Sequence, residues 1–382
     1  IETVTQQNSR LNYPLIDGVV NGCPSHLLEP QRLQLIPYSE AFSNAYWTKN
    51  GSSVTSGFLS PDGTLNGYKI TPTTYNSTHK IGVNMGTFTG LYTLSVFAKK
   101  GELKNILLWD DNLGKGIGVN LDDLSVFRNV GVEGYNIETY SDGWVRISAT
   151  LNYSSQSLRI AIYTYNNSFE ISFIGNGTDS LYIFGAQVEQ GSYPTSYIPN
   201  YGTSAGITRV AETANGAGDA STFNDSEGVL MVEMSALADD LTNRIISLSD
   251  GTNSNIISVQ FSNAQSNDII AYYNATGQTG RVISTTSYNI KSFNKIALVW
   301  NNSSFKFYVN GYLIGSATIE TPLVNNTLNQ LKFQYGNGTL PFYGNTKQIQ
   351  YFDSALNDSD LEKITSWTSF TDLANGQTYS IK

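Results

Sequence analysis

The sequence predicts an all-β protein of two tandem antiparallel β-sandwiches with an N-terminal arm and one short C-terminal helix. Three observations carry this reading. Runs of 5 to 9 residues alternate apolar and polar positions along most of the chain, a period-two pattern that puts one face on a core and the other in solvent. Gly, Asn, Asp and Ser fill the gaps between the runs, as turns require. A single helical pattern occurs, close to the end, and 382 residues are too many for one small sandwich and suit two domains.

In chain order, residues 1–37 hold few periodic apolar positions. LIDGVVNGCPSHLLEPQ reads as turns and short extended pieces punctuated by Gly and Pro. This is read as an N-terminal arm lying on the first domain or on a neighbouring chain, because Leu27, Leu28, Leu33, Leu35 and Ile36 need burial that the arm alone cannot provide. Residues 38–200 form the first sandwich: GLYTLSVFAKKG, KNILLWDD, GIGVNLD, WVRISATLNY, LRIAIYTY and SLYIFGAQVEQ each alternate, and Tyr, Phe, Ile and Val dominate them as strands prefer. Residues 201–222, YGTSAGITRVAETANGAGDAST, are small and polar and read as a linker, within which TRVAE keeps strand character. Strands resume over 223–382 with GVLMVEMSA, NRIISLSD, NIISVQFS, DIIAYYNA, FNKIALVWNNSSFKFYVNGYLIGSA and QLKFQYG. Within 293–316 the turns Asn301-Asn302 and Asn310-Gly311 separate three strands of a meander; Asn-Gly favours the positive dihedrals of tight hairpins. YFDSALNDSDLEKITSW is the helix, with Asn357 or Ser359 as cap and Leu361 and Ile364 three apart on one face.

Composition narrows the function. Hydrophobic residues make up 40 %, enough for globular cores. Charged residues make up only 14 %, against roughly 25 % in ordinary proteins, and Asn, Ser, Thr, Gly and Tyr take their place, a mix suited to neutral hydrogen bonding at an extracellular surface. The net charge of −9 would repel a phosphate backbone, which argues against nucleic acid. Cys23 is the single cysteine, so no disulfide forms within the chain. His26 and His79 are too few for a histidine-rich metal site, and no run of about 18 apolar residues exists to insert in a membrane.

Two long segments resemble a known family. CPSHLLEPQRLQLIPYSEAFSNAYWTKNG at 23–51 and LYIFGAQVEQGSYPTSYIPNYGTSAGIT at 181–208 bracket an interval about as long as a sandwich. The pair resembles the opening and closing motifs of a carbohydrate-binding-module-like jelly-roll domain common in bacteriophage fibre, spike and other virion-surface proteins. A laminin-G/concanavalin-A-like sandwich often follows it, and KIALVW…FKFYVNGYLIG together with the short terminal helix looks like such a domain. The resemblance implies a virion-surface fibre or spike protein that binds host-surface glycans, contacts other virion structural proteins and assembles as a homo-oligomer, a trimer by preference. A structural decoration protein and a polysaccharide depolymerase are the alternatives. Family members usually carry more chain before IETVTQQNSRLNYP, so an N-terminal attachment region is expected to be missing.

Candidate site residues follow from the chemistry of sugars, whose apolar faces stack on aromatic rings and whose hydroxyls bond to Asp and Asn. Trp109 with Asp110, Asp111 and Asn112 puts a ring beside acceptors in one Gly-bounded turn. The alternative is that Trp109 closes a core edge above an ordinary turn. Tyr272 and Tyr273 sit side by side on a strand, so one must face out, and Tyr335 and Tyr343 flank the loop GNGTLPF. Trp47, Trp144 and Trp300 read as core. No enzyme is expected. Glycosidases need two carboxylates about 5 to 10 Å apart, whereas Glu227 and Glu233 are six positions apart and Asp110-Asp111 and Asp122-Asp123 are adjacent pairs pointing to opposite strand faces. No GxSxG, HExxH or P-loop pattern occurs. No cofactor is required. Domains like these often carry a structural calcium, for which Asp62, Asp110, Asp111, Asp122, Asp250 and Asp353 offer oxygens, though no EF-hand-like spacing supports one.

Overall fold

The computed structural model describes residues 10–16, 19–20 and 22–367. These form antiparallel strands, with one 3-10 turn and a single α-helix, Asp358–Thr365 (α1). The described residues fall into two compact units: one holds Gln31–Val210, the other Cys23–Pro30 and residues 211–367. The division after Val210 falls inside the small polar stretch 201–222. The described part of the stretch 1–37 is shared between the units. Arg32–Gln34 pairs with Ile207–Arg209 in the first, whereas Ser25–Leu28 pairs with residues 344–346 in the second. Leu27, Leu28 and Ile36 are thereby buried within their own chain and Leu33 stays exposed, so burial of this segment does not depend on a neighbouring chain.

In the first unit the strands are Ser52–Phe58 (β1), Gly67–Pro72 (β2), Ser77–Lys99 (β3), Asn105–Asp110 (β4), Lys115–Asn120 (β5), Val126–Val130 (β6), Gly134–Thr139 (β7), Trp144–Tyr165 (β8) and Leu181–Gln190 (β9). They form one sheet in the order β6-β5-β4-β8-β3-β9-β2-β1, with β7 beside β8. The long strands β3 and β8 pair along almost their whole length, but alternation does not run straight through them. The core takes Ile81 and Val83 from the first part of β3, then Leu94, Val96 and Ala98. From β8 it takes Val145, Ile147, Ala149, Leu151 and Tyr153, then Leu158, Ile160 and Ile162. One extra residue on each strand, Met85 and Ser155, shifts the register and so switches which parity points inward; Ser155 adopts φ +60°. One core receives both halves of both strands because the sheet folds over itself at these bulges.

The opening and closing motifs are tied together by amide side chains. Gln34 donates from Nε2 to the carbonyls of Ala186 and Ile198, at 2.9 and 3.2 Å, and its Oε1 accepts from the N–H groups of Ile36 and Val188. Gln187 Oε1 accepts from the Ile198 N–H at 2.8 Å, and the buried Glu189 accepts from the N–H and hydroxyl of Thr195. Backbone groups of the two segments would otherwise lie buried and unpaired. The motifs are therefore structural, and their length reflects this stitching.

The second unit is a two-sheet sandwich. Its strands are Gly228–Ala236 (β10), Arg244–Ser249 (β11), Ile256–Phe261 (β12), Ile269–Asn274 (β13), Arg281–Thr285 (β14), Asn294–Trp300 (β15), Ser304–Val309 (β16), Tyr312–Thr318 (β17), Gln330–Lys332 (β18) and Gly344–Phe352 (β19). One sheet runs β19-β10-β15-β16-β17 and the other β18-β11-β12-β13-β14. Leu230, Val232, Leu298 and Phe307 from the first meet Ile246, Leu248, Val259 and Phe261 from the second in one core. The hairpin at Asn310-Gly311 has φ +49° and +88° at its two residues, the primed-turn geometry that Asn-Gly permits. Asn357 caps α1 by accepting from the Asp360 N–H at 3.0 Å, and Leu361 is buried against Val229, Met231 and Tyr308. Trp47, Trp144 and Trp300 are each 1 % exposed, as the sequence pattern implied.

Candidate functional site

The register of β6, β5, β4, β8 and β3 sets two rows on the face of the first unit turned away from its core. One reads Arg128, Gly118, Leu107, Tyr163, Lys80; the other reads Val130, Gly116, Trp109, Ala161, Gly82. The glycines are where rings lie on the backbone. A Cβ at Gly116 would stand 2.9 Å from the Trp109 ring, and one at Gly118 would stand 2.7 Å from the Phe127 ring. Phe127 itself is the extra residue where β5 and β6 lose register, and such a bulge re-aims a side chain.

This placement corrects the expectation of a free stacking ring at Trp109. The indole is only 9 % exposed, packed with Leu107, Ala161, Tyr163 and Tyr165, and the Arg128 guanidinium carbon lies 4.7 Å from its ring centre. The acceptors beside it are likewise engaged. Buried Asp110 accepts from the Tyr153 hydroxyl at 2.7 Å and from the N–H groups of Asn112 and Leu113. Asp111 accepts from Lys80 and the Tyr163 hydroxyl, both at 2.6 Å, with Arg159 at 3.6 Å. Burial, and after it the Asp111 carboxylate, pushes the Tyr163 hydroxyl well above its ordinary pKa. Only Asn112 is exposed, and its Nδ2 donates to the Ser157 carbonyl at 3.1 Å. The Trp109–Asn112 turn thus supports the sheet.

What Trp109 does support is an open cleft of about 600 Å³ next to it, lined by Phe127, Arg128, Asn129, Val130, Tyr165 and Phe169. Phe127 lies 5.3 Å from Tyr165 and 5.1 Å from Phe169, centre to centre. Phe169 comes from the turn after β8. There Asn166 Oδ1 accepts from the N–H groups of Ser168 and Glu170, and the turn sets Phe169 at φ +63°. A bulky residue in this left-handed region is a real outlier, and its ring stays 47 % exposed. The Tyr165 hydroxyl is buried; burial raises its pKa, and the nearby charge of Arg128 and a hydrogen bond with its side chain work against that rise. The arrangement offers aromatic walls and a guanidinium to a ligand. None of the lining residues was singled out from the sequence. The adjacency of Phe127, Tyr165 and Phe169 depends on strand pairing and on one turn, and the run VFRNV resembles many ordinary strands.

In the second unit the structure separates the two neighbouring tyrosines. Tyr273 points into the core, 1 % exposed, and its hydroxyl accepts from the Leu323 N–H at 3.1 Å, so it is removed as a contact residue. Tyr272 faces the other way and meets Tyr335, ring centres 6.5 Å apart. Burial, then Tyr272, pushes the Tyr335 hydroxyl up to about 12. Both rings are half-buried. Tyr343 packs against the core from its edge.

The carboxylates considered for catalysis have structural partners. Glu227 accepts from the Ala355 N–H at 3.0 Å, and Glu233 lies 3.7 Å from Lys347 Nζ. Among the described residues no group of three or more His, Cys, Asp or Glu side chains comes together as a cation site would need, so the six aspartates are not assembled into one.

Residues 232–362 match the family model of the concanavalin A-like lectin/glucanases superfamily, which agrees with the laminin-G/concanavalin-A-like sandwich expected there. No curated protein matches the chain. Among solved structures, a Ruminococcus gnavus IT-sialidase CBM40 bound to α2,3 sialyllactose is 18 % identical over 41 % of this chain and 96 % of its own, with a TM-score of 0.34. A heptameric SAP-like pentraxin from Limulus polyphemus is 12 % identical over 38 % of this chain and 71 % of its own, TM-score 0.31. The binding domain of botulinum neurotoxin DC, in complex with rat synaptotagmin II, is 14 % identical over 37 % and 35 %, TM-score 0.30.

Proposed function

We propose that the protein is a non-catalytic glycan-binding protein of a bacteriophage virion surface, a fibre or spike that touches host-surface sugars through the cleft at Phe127, Tyr165 and Phe169. The observation that carries this reading is Phe169. Holding a bulky side chain in left-handed backbone costs about 1–3 kcal/mol, and here that conformation presents a ring that is still 47 % exposed. It packs edge-to-face on Phe127 and its outer surface lines an open cleft with polar groups at hand, the combination that a stacked sugar needs. The match of residues 232–362 to a lectin and glucanase superfamily is consistent with sugar binding, and the virion setting rests on the resemblance of the 23–51 and 181–208 motifs.

Shallow sites of this kind are weak singly and act through copy number. A homo-oligomer, a trimer by preference, raises the effective concentration of each further contact. The reading is tested on an array of host-surface oligosaccharides with the wild-type protein, Phe127→Ala and Phe169→Gly. Binding should fall in both variants while the melting temperature of Phe169→Gly does not. The bound polysaccharide should release no reducing ends on incubation. Binding that survives both substitutions would remove the cleft from the argument, and release of reducing ends would favour a depolymerase.

A further inference from the structure

Arg128 is bonded differently from every other arginine in the chain. Of the eight arginines, five lie within ion-pair distance of a carboxylate and two more donate to backbone carbonyls. Arg128 has neither among the described residues. Its guanidinium carbon lies instead over the Trp109 ring, 4.7 Å from the centre. Contact through the π-face leaves the in-plane N–H donors of a guanidinium available; one interacts with the Tyr165 hydroxyl, and of the five that an arginine carries the others have no protein carboxylate or carbonyl partner among the described residues. Glu170, next to Phe169 in sequence, accepts from Asn166 Nδ2. Beside Arg128 lies the buried Tyr165 hydroxyl, with which its side chain interacts.

These donors sit at the wall of the aromatic cleft, in a protein of net charge −9 whose other arginines have carboxylate or carbonyl partners. The cleft lining of Phe127, Arg128, Asn129, Val130, Tyr165 and Phe169 contains one cation and no acid. A planar fork of donors next to an aromatic wall matches a carboxylate attached to a pyranose ring: the carboxylate takes two parallel N–H bonds and the ring stacks. We infer that the cleft selects a carboxylate-bearing sugar, a hexuronic or nonulosonic acid, with Arg128 as the specificity-determining residue; this rests on the glycan reading of the same cleft.

The test is an array on which each carboxylate-bearing oligosaccharide, hexuronic and nonulosonic, is printed beside its carboxyl-reduced neutral counterpart. The wild-type protein should bind acid forms about tenfold better than their reduced forms, the effect of one charge-assisted hydrogen-bonded contact, and the preference should shrink as salt rises. Arg128→Gln should bring the two forms level. Arg128→Lys keeps a cation over Trp109 but loses the fork, and should keep only part of the preference, which separates recognition from a loss of packing. Phe169→Gly should weaken acid and reduced forms alike. If the wild-type protein binds both forms equally and Phe169→Gly abolishes both, the glycan reading stands and the acidic class falls. If nothing on the array binds, or binding ignores Phe169, both readings fall.

Discussion

The guanidinium carbon of Arg128 lies over Trp109, 4.7 Å from the ring centre, and the two residues are brought together by the pairing of β6, β5 and β4 rather than by their separation of nineteen positions. With Leu107, Ala161, Tyr163 and Tyr165 around it as well, the indole is closed off from solvent. This makes Trp109 a packing residue. Trp109→Ala should cost about 3 to 5 kcal/mol by the large-to-small rule, read from denaturant unfolding. A loss below about 1 kcal/mol would mean that the ring contributes little to the fold.

Trp144 is 1 % exposed and packs with Phe97 and Phe184. Trp144→Ala should cost about 3 to 5 kcal/mol, measured the same way, and should leave glycan binding per folded molecule unchanged.

Phe169→Gly should leave stability unchanged or raise it by up to about 1 kcal/mol. Glycine occupies φ +63° without steric cost, which offsets the lost contact with Phe127. Thermal unfolding beside array binding checks this: a variant that is distinctly less stable would show that the ring serves packing first.

Ser25–Leu28 belongs to the second unit. Leu28 is 3 % exposed in its core, and Arg10 bridges Glu29 and Glu212, each at 2.6 Å. A fragment starting at Ala211 should therefore be less stable than the intact unit, by about 2 kcal/mol or more for Leu28 alone. A peptide of residues 10–30 added in trans should restore the melting temperature. No response to the peptide would mean that the strand adds nothing to this core.

Glu40 supplies a pH signature. It is 8 % exposed and accepts from Asn66 Nδ2 at 2.9 Å and the Tyr197 hydroxyl at 3.1 Å. Burial, and more weakly the Asp62 charge, raises its pKa above the ordinary 4.5. A carboxyl whose folded pKa is raised binds its proton more tightly when folded. Its contribution is therefore present below pH 4.5 and is lost as pH climbs through the raised value. Asp62 moves the other way: burial raises its pKa, but hydrogen bonds from Ser60, Thr64 and Asn66 outweigh that and lower it below 3.8. Its stability is lost as pH falls under that value. Melting temperature against pH should show less decline above pH 4.5 in Glu40→Gln than in wild type, with the acid limb below 3.8 unchanged. Identical curves would remove Glu40 from the account.

The alternation in WVRISATLNY and LRIAIYTY was enough to name strands, but it could not show that they are one strand, β8, whose inward parity switches at Ser155. The motifs at 23–51 and 181–208 were legible as a pair, while Gln34 and Gln187 became their physical link only when both backbones were in place. Trp109 with its acidic neighbours looked like a binding turn because sequence proximity places a ring beside acceptors. In the folded chain Tyr153, Lys80 and Tyr163, distant in sequence, had already taken those acceptors. Tyr272 and Tyr273 could be assigned opposite faces but not which faced out.

Local chemistry determined what the sequence could reveal: strand after strand from period-two patterning, a hairpin at Asn310-Gly311 from backbone permissiveness, a capped helix at Asn357, buried tryptophans and two sandwiches. These depend on neighbours within a few positions. Only the tertiary structure decided where Ser25–Leu28 belongs, which aromatic rings are spent on packing, and that Phe127, Arg128, Tyr165 and Phe169 share one cleft. Those outcomes depend on strand register, on two bulges and on glycines that let rings lie against the sheet, and register is set by the summed burial of a whole core, not by any one run of residues.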